Sequence, residues 1–235
     1  NPLYRWSAHA KEGYAWWVHR VHRTFELVDI VRIDHFRGFA DYWEIPANEP
    51  TAIRGRWLTG PGAALFEAIR GALGDLPIIA EDLGLLTPAV TDLRRQFGLP
   101  GMRILHFAFG GGNDNGYLPH NYDANTVVYT GTHDNNTSQG WWLEASETER
   151  EHVRDYFALK PEDGAGIHWA MIRAACASVA DTAIHPMQDV LGLDGQSRMN
   201  LPGVGEGYWE WRFSWNQVLP EHAQQLVKLC RLYRR

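Results

Sequence analysis

Short apolar runs alternate with helix-type segments along this chain, and that alternation limits the folds open to it. The runs are rich in Val, Ile and aromatic residues and are apolar on both faces rather than on every second residue. Strands of this kind are typical of parallel sheets that are covered on both sides. Five strands are predicted: Leu27–Ile33, Leu76–Ala80, Arg103–Phe109, Thr126–Thr130 and Thr182–Met187.

Helices are predicted between these strands from apolar spacing and from end signals. Thr87 is the expected N-cap of a helix that has Pro88 at its first position and stops at Gly98. Ser146 and Glu149 form a capping-box pattern at the start of another. The remaining predicted helices are Gly62–Leu73, Ile167–Ala180 and Pro220–Tyr233. Strands that alternate with helices predict an α/β protein built from βα units.

A closed (β/α)8 barrel needs more strands than the five predicted, so the chain is either an open sheet or a partial TIM barrel. The sequence opens at Asn1 in a loop-type segment, which favours the second alternative. We therefore expect residues 1–235 to form a single domain, the C-terminal part of a (β/α)8 catalytic barrel whose first three units are absent.

Composition excludes several classes of partner. The net charge of −6 is spread along the chain without a Lys/Arg block, which disfavours nucleic acid and polyanions and favours a neutral ligand. No apolar run is long enough to span a membrane. The two cysteines form no CxxC motif or Cys/His cluster, so no metal or other cofactor is expected, and a cytoplasmic location fits. Eleven tryptophans suit a carbohydrate ligand, although core packing explains many of them.

Three of the predicted strands run directly into a carboxylate: Asp34, Glu81 and Asp134. The carboxyl ends of barrel strands carry catalytic groups, so these side chains are expected to gather at one rim. A lone Asp after a strand is usually a helix cap or a turn residue, but three such positions favour a site. Two carboxylates suffice for retaining glycoside chemistry. Arg32 lies on the same strand face as Asp34 and is expected to keep that carboxylate ionised.

The sequence also resembles a known family, the amylomaltases and disproportionating enzymes (4-α-glucanotransferases of glycoside hydrolase family 77). The similarity runs in order over nearly the whole chain, to about Phe213. It is carried by Arg32–Phe39, Tyr42–Pro46, Trp57–Gly62, Ile79–Gly84, Pro100–Phe107, Tyr129–Thr137, Met187–Gly192 and Ser197–Gly203.

The resemblance assigns roles that the chemistry of the residues left open. It implies Asp34 as nucleophile, Glu81 as general acid/base and Asp134 as a third carboxylate. Trp6 can be interpreted equally well as a stacking platform for a sugar ring or as a structural aromatic residue. The substrate-binding positions it implies are Arg32, His133, Phe107, Asn200 and Trp6.

The implied activity is transfer of α-1,4-glucan segments from starch, glycogen or maltooligosaccharide donors to a glucan or to glucose. A retaining hydrolase on the same scaffold and a truncated fragment that binds carbohydrate without turnover are the alternatives. A metal-dependent enzyme is disfavoured because His133 and Asp134 have no further His at ligand spacing. Family members are about twice as long, so the activity of this chain alone is a separate question.

One aromatic stripe alternates with polar residues near the end of the chain. We interpret it as a half-buried extended segment that closes the bottom or side of the barrel, not as a binding site. Its members are Trp209, Trp211, Phe213 and Trp215.

Overall fold

The computed structural model describes residues 2–84, 86–160, 164 and 166–235. Contacts between Cα atoms divide the chain into two compact units, Asn1–Met102 and Arg103–Arg235, whereas the expected single domain stays a prediction. In both units parallel strands alternate with helices, which confirms the α/β class. Across the described residues, no helix has the length and apolar character needed to cross a membrane.

In the first unit, two helices precede a parallel strand pair and an antiparallel hairpin. Strands β1 (Val31–Ile33) and β4 (Ile78–Ala80) pair in parallel, with Ile33 opposite Ala80. The antiparallel pair of β2 (Asp41–Glu44) and β3 (Arg56–Thr59), with Trp43 opposite Trp57, was not predicted from the sequence. The elements are α1 (Trp6–Lys11), α2 (Ala15–Phe25), β1 (Val31–Ile33), β2 (Asp41–Glu44), β3 (Arg56–Thr59), α3 (Gly62–Leu73), β4 (Ile78–Ala80) and α4 (Pro88–Gln96).

The core of this unit lies directly behind the segment that follows β1. Helix α3 buries Phe66 against Phe36 and Phe39, with 5.4 Å between ring centroids in both pairs. Leu65 and Ile69, on the same helix, are also buried. Because aromatic and aliphatic burial is the largest stabilising term available, this packing fixes the chain immediately after Asp34.

The second unit continues the same alternation. Strand β5 (Gly101–Ile104) starts where the first unit ends, and the sheet order is β5–β6–β7. Strands β6 and β7 are parallel, with Val128 opposite Ala183. Val128 is fully buried and belongs to the same core cluster as Ile167 and Met171. The remaining elements are β6 (Thr126–Tyr129), α5 (Ser138–Glu144), α6 (Glu147–Phe157), α7 (Ile167–Ala177), β7 (Thr182–Ile184), α8 (Met187–Val190) and α9 (Pro220–Tyr233).

The predicted helices are largely confirmed, whereas the predicted strands are too long. Helices α3 and α9 have the predicted bounds, and the capping box at Ser146 is formed. The strand predicted from Leu27 begins only at Val31, because the chain leaves α2 through a turn in which Leu27 N–H donates to the Thr24 carbonyl. After Ile104, β5 ends because the backbone tightens into a 3-10 turn.

A buried ion pair anchors the end of β4. Asp82 is almost fully buried, and its Oδ2 lies 3.1 Å from Nε of Arg94 on α4. Its Oδ1 accepts a 2.7 Å hydrogen bond from the Met102 N–H. At Gly101 a Cβ atom would lie only 2.5 Å from the Asp82 carboxylate, so a residue without a side chain is needed there. Asp82 follows Glu81, and this anchor therefore fixes the position of Glu81.

We expect Asp82→Asn to lower the free energy of unfolding by about 3–5 kcal/mol, because it removes the carboxylate charge that faces the buried Arg94 guanidinium. Denaturant unfolding monitored by circular dichroism measures this. The matched control is Asp92→Asn on the exposed face of α4, which should change stability by less than about 0.5 kcal/mol. Equal stability of the two variants would contradict the anchoring role of Asp82.

Candidate active site

Asp34 and Glu81 lie side by side at the carboxyl ends of two paired strands. Each follows one member of the Ile33–Ala80 pair, so the two carboxylates occupy equivalent positions. The backbone pairing continues past the strands: Glu81 N–H donates to the Ile33 carbonyl at 2.9 Å, and Phe36 N–H donates to the Glu81 carbonyl at 3.0 Å. Because adjacent strands lie about 4.8 Å apart, the two side chains leave the backbone as close neighbours.

Asp34 is exposed and paired with a cation. Its Oδ1 accepts a 2.8 Å hydrogen bond from Nη2 of Arg32, and 77% of its side-chain surface is accessible. Arg32 is more buried, and its Nε lies 3.3 Å from Sδ of Met102. The ion pair predicted from the shared strand face is therefore present, and it leaves Asp34 open to a ligand.

Both oxygens of the Glu81 carboxylate accept backbone hydrogen bonds. The N–H of His35 donates to Oε2 at 2.6 Å, and the N–H of Leu83 donates to Oε1 at 2.9 Å. His35 adopts a left-handed backbone with φ +49°, a conformation that His tolerates better than most residues. Because of this turn, the His35 N–H points at the Glu81 carboxylate. The hydrogen bond between them links the segment that carries Asp34 directly to the segment that carries Glu81.

In the second unit, Asp134 is the centre of a group of polar side chains. Its Oδ1 accepts a 2.6 Å hydrogen bond from Nδ2 of Asn200, and its Oδ2 lies 3.4 Å from Nε2 of His133. Nη2 of Arg198 donates to the Asp134 carbonyl at 2.6 Å. Asn200 was expected to donate to substrate, but here its amide nitrogen binds Asp134. Arg198 was not predicted as a site residue, although it lies within the Ser197–Gly203 motif.

A buried polar network stands behind the strand that leads to Asp134. Asp189 on α8 accepts hydrogen bonds from Thr130 Oγ1 at the end of β6, and from the backbone and hydroxyl of Ser138 at 2.7 and 2.8 Å. Nε2 of His106 lies 3.0 Å from the same hydroxyl. Burial lowers the pKa of His106 from 6.5 to about 4; Asp189 acts in the opposite direction, and Arg198 adds to the lowering. This network was not predicted from the sequence, because its residues are distant in the chain.

Phe107 and Trp6, two aromatic residues predicted to bind substrate, differ from each other in their contacts. Phe107 follows β5, is 43% exposed and meets Tyr117 edge to face at 5.4 Å, so its predicted place at a rim remains open to test. Trp6 packs against the core cluster of its unit and stacks on Trp17 at 5.6 Å. These contacts support the structural interpretation of Trp6.

The aromatic stripe near the end of the chain does not form a strand, and its members differ in burial and in the residues that they contact. Trp211 and Phe213 are half-buried as expected and stack on each other at 5.7 Å. Trp209 instead lies against His133, with 5.1 Å between the ring centroids. The sequence pattern did not predict that contact.

Comparisons with known proteins agree on one family. A sequence model described as 4-alpha-glucanotransferase matches residues 1–218. The 4-alpha-glucanotransferase of Thermus thermophilus is 47% identical over 231 residues, 96% of this chain and 46% of that protein. The chloroplastic/amyloplastic 4-alpha-glucanotransferase DPE1 of Arabidopsis thaliana is 50% identical over 212 residues, 90% of this chain and 36% of that protein.

A solved structure gives the same result. An amylomaltase from Streptococcus agalactiae in complex with acarbose matches with a TM-score of 0.95 and 37% identity, covering 100% of this chain and 47% of that one. This chain thus spans less than half the length of the relatives that it matches.

We expect His106 to make the protein less stable in acid. Its pKa in the folded protein is about 4 against an ordinary 6.5, so between these pH values the unfolded chain binds more protons and stability falls as the pH falls. The loss from His106 between pH 7.5 and pH 5 should be about 2 kcal/mol. Urea unfolding at the two pH values measures it.

The variant for this test is His106→Gln, which should remove that part of the acid loss. His168 and His185, whose pKa values burial also lowers, stay in both proteins and cancel in the comparison. His19→Gln on the exposed face of α2 is the control and should keep the pH dependence of the parent protein. An unchanged acid loss in His106→Gln would contradict the assignment.

Proposed function

We propose, from the premise that this chain belongs to the 4-alpha-glucanotransferase family, that it carries the nucleophile and the acid/base of an enzyme that transfers α-1,4-glucan segments. The acceptor is a second glucan or glucose, and the reaction is a retaining double displacement. The observation that carries this proposal is the placement of Asp34 and Glu81 at equivalent positions on adjacent parallel strand ends. A retaining mechanism needs two carboxyl groups about 5–5.5 Å apart, and side chains at equivalent positions of strands about 4.8 Å apart can reach that separation.

In the first step Asp34 attacks the anomeric carbon of the donor sugar. The bond from that carbon to the glycosidic oxygen breaks, and the leaving oxygen takes a proton from Glu81. The ion pair with Arg32 supports this role, since it orients the Asp34 carboxylate at the end of the strand. The exposure of Asp34 supports it further, because the attacking oxygen has to reach a bound sugar.

Glu81 then reverses its role. It takes a proton from the acceptor hydroxyl, the acceptor oxygen attacks the anomeric carbon, and the bond to Asp34 breaks, so atoms and protons balance over both steps. As an acid Glu81 has to carry a proton on one oxygen, which makes that oxygen a weaker acceptor for its backbone N–H donor. We infer that protonation weakens the hydrogen bond from either His35 or Leu83.

The second unit is proposed to supply further sugar contacts. Asp134 is the third carboxylate and stabilises the positive charge that develops on the sugar ring, while His133 contacts the same donor sugar. Because Asn200 already binds Asp134, its role is proposed to include orientation of that carboxylate as well as contact with substrate. Phe107 is proposed to line the glucan path from the end of β5.

The five strands β1, β4, β5, β6 and β7 are proposed to belong to a (β/α)8 barrel. This proposal is supported by the structural match to an amylomaltase at a TM-score of 0.95. The cytoplasmic location expected from composition stays a prediction.

Incubation of the protein with maltotriose separates transfer from hydrolysis, because the carboxylates serve both reactions and only the acceptor differs. We expect glucose together with oligomers longer than maltotriose, detected by chromatography of the products. Glucose and maltose alone would point to hydrolysis, and no turnover despite sugar binding would point to a carbohydrate-binding chain.

Asp34→Asn should lower kcat for transfer by at least about a thousandfold, because the amide cannot form the covalent intermediate. Binding of maltooligosaccharide, followed by intrinsic tryptophan fluorescence, should be retained. The control is Asp29→Asn, an exposed carboxylate just before β1, which should behave like the parent. Substantial transfer by Asp34→Asn would reassign the nucleophile.

Glu81→Gln should lower kcat by about 10²–10⁴-fold on natural glucans, because the leaving oxygen no longer receives a proton. Donors with a good leaving group, such as aryl maltosides, should restore the first step but not the second. A burst of released phenol followed by slow turnover is the expected time course. If the rate is indifferent to the leaving group, Glu81 is not the acid.

A further inference from the structure

The indole of Trp209 lies beside the polar group formed by Asp134, His133 and Asn200. Its ring centroid is 5.1 Å from that of His133, and the two ring planes are inclined at 40°. His133 in turn lies 3.4 Å from the Asp134 carboxylate. An aromatic surface and a cluster of hydrogen-bonding side chains are therefore adjacent within the second unit.

Burial shows that this indole is not a core residue. Its exposed fraction is 58%, so more than half of the surface of this residue is open to solvent. By contrast, the half-buried Trp211 and Phe213 stack on each other. A large apolar surface that is left open beside polar side chains is the arrangement found in carbohydrate sites, where aromatic faces meet sugar C–H groups.

The backbone at Trp209 is strained. Its φ is +68°, a left-handed conformation that bulky residues rarely adopt, and its N–H donates to the Met199 carbonyl at 2.7 Å. Two residues earlier Gly207 has φ +77° without strain. Glycine at position 209 would adopt the same turn at a lower cost in free energy. The strained backbone at this position therefore points to a role for the indole side chain.

The strained turn keeps the ring in a fixed position. Residues 198–209 form a loop whose two ends both contact the 133–134 segment. At one end Arg198 donates to the Asp134 carbonyl, and at the other Trp209 lies against His133. A stacking surface that is fixed before the ligand arrives loses little conformational entropy on binding, which favours affinity.

We propose that Trp209 is a sugar-stacking residue of the donor or acceptor path. The apolar C–H face of one glucose unit of an α-1,4-glucan packs on the exposed surface of the indole. Its hydroxyl groups meet His133, Asp134 and Asn200 at the edge of the ring. This inference rests on the proposed function, because it takes the ligand to be the glucan of that reaction.

The test compares Trp209→Gly, Trp209→Leu and Trp209→Phe in the full-length protein, with transfer from maltotriose as the assay. Trp209→Gly removes the ring and relieves the positive φ, so its thermal midpoint should equal or exceed that of the parent. Its KM should rise about tenfold while kcat changes less than about threefold, since a stacking contact is lost without loss of a reacting group. Trp209→Leu is apolar but has no ring face and should show the same rise in KM.

Two variants serve as controls. Trp209→Phe keeps an aromatic face and should keep KM within about threefold of the parent. Trp215→Ala removes another indole of the same unit, 80% exposed and packed edge-on against Phe213, and should keep both constants unchanged.

The inference is overturned if KM stays at the parent value in both the Gly and the Leu variants. It is also overturned if Trp209→Gly loses stability and kcat together at unchanged KM, since that is the result of a purely structural role. A parent protein that neither transfers nor binds maltotriose would overturn the proposed function, and this inference with it. An active parent with unaffected variants would overturn only the role of Trp209.

Discussion

The parallel pairing of β1 with β4 is the constraint on which the candidate site depends. The register that sets Ile33 opposite Ala80 also sets Asp34 beside Glu81. A slip of one residue would turn the Asp34 side chain to the other face of the sheet and separate it from Glu81. Arg32 shares the face of Asp34 through the two-residue repeat of a strand, so the same register brings in the cation.

Two neighbouring carboxylates repel each other, and the structure compensates each of them differently. Asp34 has a guanidinium partner, Arg32, whose positive charge faces the carboxylate at 2.8 Å. Glu81 has two backbone N–H donors instead, and these hold its carboxylate against the backbone at His35 and Leu83. Breaking a hydrogen bond from a neutral group costs less free energy than breaking an ion pair. Glu81, the residue proposed to exchange a proton, is therefore the one whose partners are more easily released.

The sequence was most informative where local rules decide the structure. Apolar spacing placed α3 and α9 at their observed bounds, and strand-end positions identified the carboxylates of the candidate site. Strand lengths were overestimated, because tertiary packing decides where a 3-10 turn such as the one after Ile104 replaces a strand. The contact between Trp209 and His133 could not be predicted, since a left-handed residue reverses the face that alternation assigns to it.

Each unit fixes its exposed carboxylates by means of a buried one. Asp82 ties the end of β4 to α4 and β5, while Asp189 ties the end of β6 to the start of α5. A buried carboxylate is costly unless every oxygen has a partner, so such a residue holds its neighbours in one geometry or destabilises the fold. Exposed groups like Asp34 and Asp134 cannot provide that constraint themselves, because water competes for their hydrogen bonds. The precision that a bond-forming site requires therefore comes from the buried polar groups Asp82 and Asp189.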